Sequence, residues 1–204
     1  VVEIPNGVDE PPSPVPAMSP GMRAAVGEGP FALFLGRIEW KKGLDRLIDA
    51  LSLNPEGRLV IAGNDDEGYQ RRLEARVIGR GVQDRVRFVG PVFGADKWAL
   101  LAAAKVLALT SYSENFGNVV LEALASSCPV LLTPEVGLAP AVATAGVGEV
   151  VDGNAVAIAA GLDRLQADNA VTAAMRPRAR AFAVEYSWPA MAARMERLYG
   201  SLSR

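Results

Sequence analysis

Apolar residues fall into two alternating patterns along this chain. Short unbroken apolar runs, each ending at a glycine or polar turn, predict strands at 31–36, 59–63, 86–89, 106–109, 129–132 and 148–151. Between them the period changes. Leu44, Leu47, Ile48 and Leu51 recur at spacings of three and four, so residues 43–53 read as an amphipathic helix. Further helices are predicted over 67–80, 96–104 and 118–126, and everything after about residue 154 reads as helical. Strands written as continuous apolar runs, separated by helices, call for a parallel sheet covered on both faces. The predicted fold class is therefore α/β, a doubly wound parallel sheet of about six strands with right-handed crossovers. Ligands of such sheets bind beyond the carboxyl ends of the strands, where the strand order reverses.

Composition narrows the function. Half of the 204 residues are apolar and 22% are charged, enough for a proper core. A net charge of −2 gives no basic footprint, so no nucleic acid partner is expected. No apolar run reaches the roughly 18 residues that a membrane-spanning helix needs. Histidine is absent, which excludes a Ser-His-Asp or Cys-His machine within this chain and removes the commonest metal ligand. No metal is expected. The single Cys128, before Pro129, reads as a small core filler and fits a reducing, cytoplasmic compartment. Pro11, Pro12, Pro14, Pro16 and Pro20 make residues 10–20 extended and linker-like. The opening Val-Val-Glu-Ile-Pro-Asn-Gly-Val-Asp, with no initiator Met, reads as a piece of something larger.

Three stretches carry candidate chemistry, and all fall after predicted strands. Gly36-Arg37-Ile-Glu-Trp-Lys41-Lys42-Gly43 follows the first strand. There Gly permits a close turn, Arg offers a planar fork for phosphate oxygens and Lys a point charge. A solvated basic turn is the plain alternative. Ser113-Glu114-Asn115-Phe116-Gly117-Asn118-Val119-Val120-Leu121-Glu122 follows the fourth strand and sets two carboxylates eight positions apart. The loop presents backbone amides at a helix N-terminus, and each carboxylate could accept both hydroxyls of a diol. Alternatively Asn118, Glu122 and Ser126 mark only the wet stripe of an amphipathic helix. Inside Val-Val-Leu-Glu-Ala-Leu-Ala, however, Glu122 must find water or a partner, because an unpaired buried carboxylate is costly. Gly63-Asn64-Asp65-Asp66 has ordinary turn composition, and Trp40 and Trp98 read as packing residues.

Taken in order, Ile4-Pro-Asn-Gly-Val-Asp9, Gly36-Arg37…Lys42-Gly43, Glu114-x7-Glu122-Ala-Leu-Ala and Pro129-Val resemble the nucleotide-binding half of family 4 retaining glycosyltransferases. The resemblance runs from residue 3 to about 200. It implies one Rossmann-like half of a GT-B architecture, acting on a nucleotide-sugar (UDP-, GDP- or ADP-sugar) with no further cofactor. By that resemblance Arg37, Lys42 and Glu114 are the catalytic candidates. Arg37 and Lys42 would hold the donor pyrophosphate, and Glu114 would touch hydroxyls of the transferred sugar. Gly36 and the backbone around Phe116, Gly117, Asn118 and Val119 would line the donor site, Glu122 would bind the ribose diol, and the segment at Val89 would take the base.

The resemblance also divides the chain into an interdomain segment at 1–20, a donor-binding domain at 21–185 and a crossover helix at 186–204. An N-terminal acceptor domain would be missing, so this chain alone is expected to be inactive. Trp188, Met191, Met195, Leu198 and Tyr199 fall near one helical face that such a domain would cover. Left bare, that face is expected to be exposed or paired with a second copy. Whether a longer parent enzyme rests peripherally on a membrane stays open. The sequence departs from the family pattern at Ser126-Ser127-Cys128 and at Val136-Gly137-Leu138-Ala139-Pro140-Ala141, where a Glu that often contacts the donor is absent. Two alternatives remain, a catalytically silent nucleotide-binding or scaffolding module and a GT-B nucleotide-sugar epimerase. The epimerase is disfavoured because such enzymes commonly use His.

Overall fold

A computed structural model of the chain describes residues 4–167 and 169–202. The elements run α1 (Pro20–Val26), β1 (Ala32–Leu35), a 3-10 turn (Trp40–Lys42), α2 (Leu44–Ser52), β2 (Leu59–Ala62), α3 (Gln70–Gly79), β3 (Val86–Gly90), α4 (Gly94–Ala103) and β4 (Val106–Leu109). Then follow α5 (Asn118–Ala125), β5 (Val130–Leu132), α6 (Ala139–Ala145), β6 (Gly148–Val150), α7 (Ala155–Gln166), α8 (Ala170–Val184) and α9 (Trp188–Leu202). All six strands form one parallel sheet in the order β3-β2-β1-β4-β5-β6. The order reverses between β1 and β4, which places the switch point there.

Burial explains why the central strands are wholly apolar. Every residue of β1, β2, β4 and β5 is buried, whereas the edge strands β3 and β6 admit Arg87 and Glu149. Helix α2 packs on α3 and α7, while α5 packs on α4 and α8. Burial of each large side chain such as Leu33, Ile61 or Leu107 contributes about 1.5–3 kcal/mol to this core.

The structure differs from the sequence expectations in four places. Helix α1 begins inside the proline-rich stretch, because Pro20 suits a first helical turn and the Ser19 side chain accepts from the Met22 amide at 3.2 Å. Helix α6 is only seven residues of small side chains, too short to show a period. The helical remainder is three helices, restarted at Asn169 by a capping box and at Ser187. Trp98 and Cys128 are buried as expected, but Trp40 is 55% exposed and leans on Tyr112 at a centroid distance of 6.1 Å. On α9, Met191 is buried against the chain's own core while Trp188, Met195 and Tyr199 are exposed. No helix among the described residues is long and apolar enough to cross a membrane.

Candidate functional site

Two close backbone approaches set the geometry at the switch point. A Cβ on Gly63 would lie 1.7 Å from the Gly36 carbonyl oxygen, so the ends of β1 and β2 meet only because residue 63 is glycine. Gly43, at φ +65°, ends the 3-10 turn with its α-carbon against β4; a Cβ there would lie 1.9 Å from the Thr110 carbonyl oxygen. The Thr110 hydroxyl donates to the Gly43 carbonyl at 2.9 Å, and the Tyr112 amide donates to the Lys41 carbonyl at 2.7 Å. The loop after β1 is thereby bolted to the loop after β4. This brings Lys42 into an ion pair with Glu114, both side chains mostly buried. Arg37, two-thirds exposed, pairs with Glu39 at 3.4 Å.

The carboxylate loop is held from its other side. The Glu114 amide donates to the Glu135 carbonyl at 3.1 Å, and the Gly137 amide donates to the Glu114 carbonyl at 2.9 Å. A Cβ on Gly137 would lie 2.0 Å from the Asn115 carbonyl oxygen. Gly117, in the left-handed region at φ +87°, then turns the chain into α5, whose first amides belong to Asn118 and Val119. Phe116 is half-buried against the core. One turn further, Glu122 accepts from Lys97 Nζ at 3.0 Å, and Lys97 also lies 4.6 Å above the Trp98 ring. Glu122 therefore has the partner that its apolar setting demands. Sequence reasoning missed Lys97, since α4 and α5 are separated by β4 and no local spacing links residue 97 to residue 122.

An open crevice of about 380 Å³ lies beyond the carboxyl ends of β1, β2 and β3 and the start of α5. Gly36, Arg37, Asn118, Val119 and Glu122 line it, joined by Lys97, Asn64 and the Pro91–Phe93 segment. Lys42, Glu114, Phe116 and Gly117 are not in the lining; Lys42, from the turn after β1, pairs with Glu114 in the loop after β4, and Gly117 directly precedes Asn118. Val89 sits on β3 outside the lining, and the wall on that side comes from residues 91–93, with Phe93 77% exposed. Arg37, Lys42 and Lys97 each face a carboxylate, respectively Glu39, Glu114 and Glu122. The two cations that line the crevice, Arg37 and Lys97, are thus already paired with glutamates when an anion arrives. Cys128 takes no part; burial pushes its thiol up to about 12. Among the described residues no three His, Cys, Asp or Glu side chains cluster as a metal site would require.

The fold and the sequence as a whole have counterparts. Residues 23–182 match the family described as glycosyl transferases group 1. A D-inositol 3-phosphate glycosyltransferase of Salinispora arenicola is 35% identical over 179 residues, covering 82% of this chain and 40% of that protein. A sucrose-phosphate synthase from Thermosynechococcus elongatus superposes with a TM-score of 0.81 at 30% identity, covering 98% of this chain and 52% of that one. Anabaena HepE, solved in complex with UDP and glucose, superposes at 0.80 with 25% identity, covering 98% of this chain and 56% of that one. The chain thus spans about half the length of its relatives, and its parallel sheet is a Rossmann-like half of the GT-B architecture. On the match over residues 23–182, this chain belongs to the group 1 glycosyl transferases.

Proposed function

We propose that the chain is the donor-binding half of a retaining glycosyltransferase, moving a sugar from a nucleotide-sugar to an acceptor held by the rest of a longer protein. The observation that carries this reading is the crevice at the switch point, where Gly36, Arg37, Asn118, Val119 and Glu122 come together from distant parts of the chain. Arg37 and Lys42 take the diphosphate, with the first amides of α5 beside them, and offset charge that grows on the leaving group. Glu114, steadied by Lys42, accepts from hydroxyls of the transferred sugar. Glu122, steadied by Lys97, takes the ribose diol. The base lies along residues 89–93. HepE's complex with UDP makes a uridine nucleotide the first donor to try.

Retention follows from front-face attack. The bond from the anomeric carbon to the phosphate oxygen breaks, the bond to the acceptor oxygen forms on the same face, and the leaving phosphate takes the acceptor's proton. That step needs no titratable base from this chain, in keeping with its lack of histidine.

Calorimetry with UDP, GDP and ADP tests the reading. One of them should bind, and Arg37→Ala should weaken it about tenfold or more, the worth of a charge-assisted hydrogen bond. No binding at millimolar nucleotide, together with no effect of Arg37→Ala, would overturn it.

A further inference from the structure

The N-terminal segment, far from the crevice in sequence, reaches it through a chain of specific contacts. The Asn6 side-chain amide donates to Asn118 Oδ1 at 3.0 Å, and Asn118 is the first residue of α5 and lines the crevice. Two residues on, the Val8 amide donates to the Tyr186 carbonyl at 2.9 Å, and Val8 forms an isolated parallel bridge with Ser187. Between them lies Gly7, buried beneath the Trp188 ring: a Cβ there would sit 2.4 Å from Trp188 Cδ2 and Cε3. Residues 6–8 are therefore a strap, clamped at one end by the start of α9 and touching the start of α5 at the other.

From this geometry we infer that Asn6 is a positioning residue for the crevice. It touches no ligand itself; it fixes the side chain of Asn118, and the clamp of Trp188 on Gly7 fixes Asn6. Asn118 is exposed at the first position of α5, and the bond from Asn6 gives its side chain a fixed orientation. An asparagine side chain free to rotate at this place loses its orientation before a ligand binds and must regain it on binding. The strap removes that cost. It also makes the crevice sensitive to α9, because moving Trp188 off Gly7 releases the segment that carries Asn6. The inference deepens the donor-binding reading and rests on it, since the ligand oriented for is the nucleotide.

The test is a double-mutant cycle on UDP affinity with the full 204-residue chain. Asn6→Ala should weaken UDP about threefold to tenfold, the worth of one net hydrogen bond. Asn118→Ala should weaken it at least as much, and the double variant no further than Asn118→Ala. Asn6→Gln should recover part of the loss, and Gly7→Ala, which drives the strap from the Trp188 ring, should reproduce it. Because Asn6 is exposed, Asn6→Ala should leave the thermal midpoint near that of the parent. Additive losses in the double variant, or unchanged affinity in Asn6→Ala where Arg37→Ala still weakens binding, would overturn the inference. If the parent chain binds no nucleotide at all, the donor-binding reading fails separately. Amide exchange at Val120, bonded to the Gly117 carbonyl at 2.8 Å, then decides the strap: faster exchange in Asn6→Ala supports it and unchanged exchange sinks it.

Discussion

Arg37 is two-thirds exposed and held 3.4 Å from Glu39, an arrangement that works against anion binding rather than for it. A phosphate entering the crevice must take the guanidinium from that carboxylate. Glu39 is mostly buried, but with Arg37 in solvent the pair contributes little, about 0.2–1 kcal/mol, so the competition is mild. Glu39→Gln should therefore tighten UDP about twofold to fivefold, and the gain should shrink as salt is raised, because screening already weakens the native pair. Isothermal titration at two ionic strengths reads both effects; weaker binding in Glu39→Gln would assign Glu39 a direct role with the ligand instead. Glu39 went unremarked in the sequence because nothing in Arg-Ile-Glu tells a competing carboxylate from an ordinary surface acid. Lys97 was hidden for a different reason: its partner is on another helix, and only the folded sheet makes them neighbours.

Elements, by contrast, were largely legible. The central strands announce themselves because burial on both faces leaves no room for polar residues, and α2 because its four apolar residues face the sheet. What failed were α1 and α6, where helix formation rests on a cap, a proline and packing rather than on a period. Side-chain ties between elements were equally invisible. Asp49 on α2 accepts from Arg76 Nε at 2.6 Å and Arg80 Nε at 2.8 Å, joining α2 to α3. Burial alone would raise the Asp49 carboxyl, but the two guanidinium groups outweigh it and hold the group below its ordinary 3.8. A depressed carboxyl stabilises the fold above its unfolded value and loses that contribution as pH falls through the folded one. Asp49→Asn should thus cost about 1 kcal/mol at pH 7, with the gap between variant and parent closing below pH 3.8. Denaturant melts at pH 7 and pH 3 decide it; a gap that persists in acid would mean the loss came from packing.

On the scale of the whole molecule, α9 divides its apolar residues between two duties. Met191 is buried in the chain's own core, whereas Trp188, Met195 and Tyr199 are exposed. Sequence periodicity placed all of them near one face; it could not say that Met191 would be buried while the others stay exposed. We propose that the exposed Met195, with the open side of the Trp188 ring, pairs with a second copy when the chain is alone, since large apolar side chains rarely stay wet. Sedimentation velocity should then show concentration-dependent association that Met195→Glu abolishes; a strictly monomeric parent at high concentration would refute the pairing.

The strand order has a last consequence, for how the crevice comes into being. Ala32 pairs with Leu59 on one side and Val106 on the other, so β1 gains its second neighbour only after the chain has made an excursion through β2, α3, β3 and α4 and come back. Local zipping can complete one flank early, but the gap where Arg37 faces α5 has no far wall until that return is made. On the proposed donor-binding reading, nucleotide capture would report on correct threading: a collapsed species that has paired β1 with β2 but not with β4 would keep much of its helical signal and hold nothing.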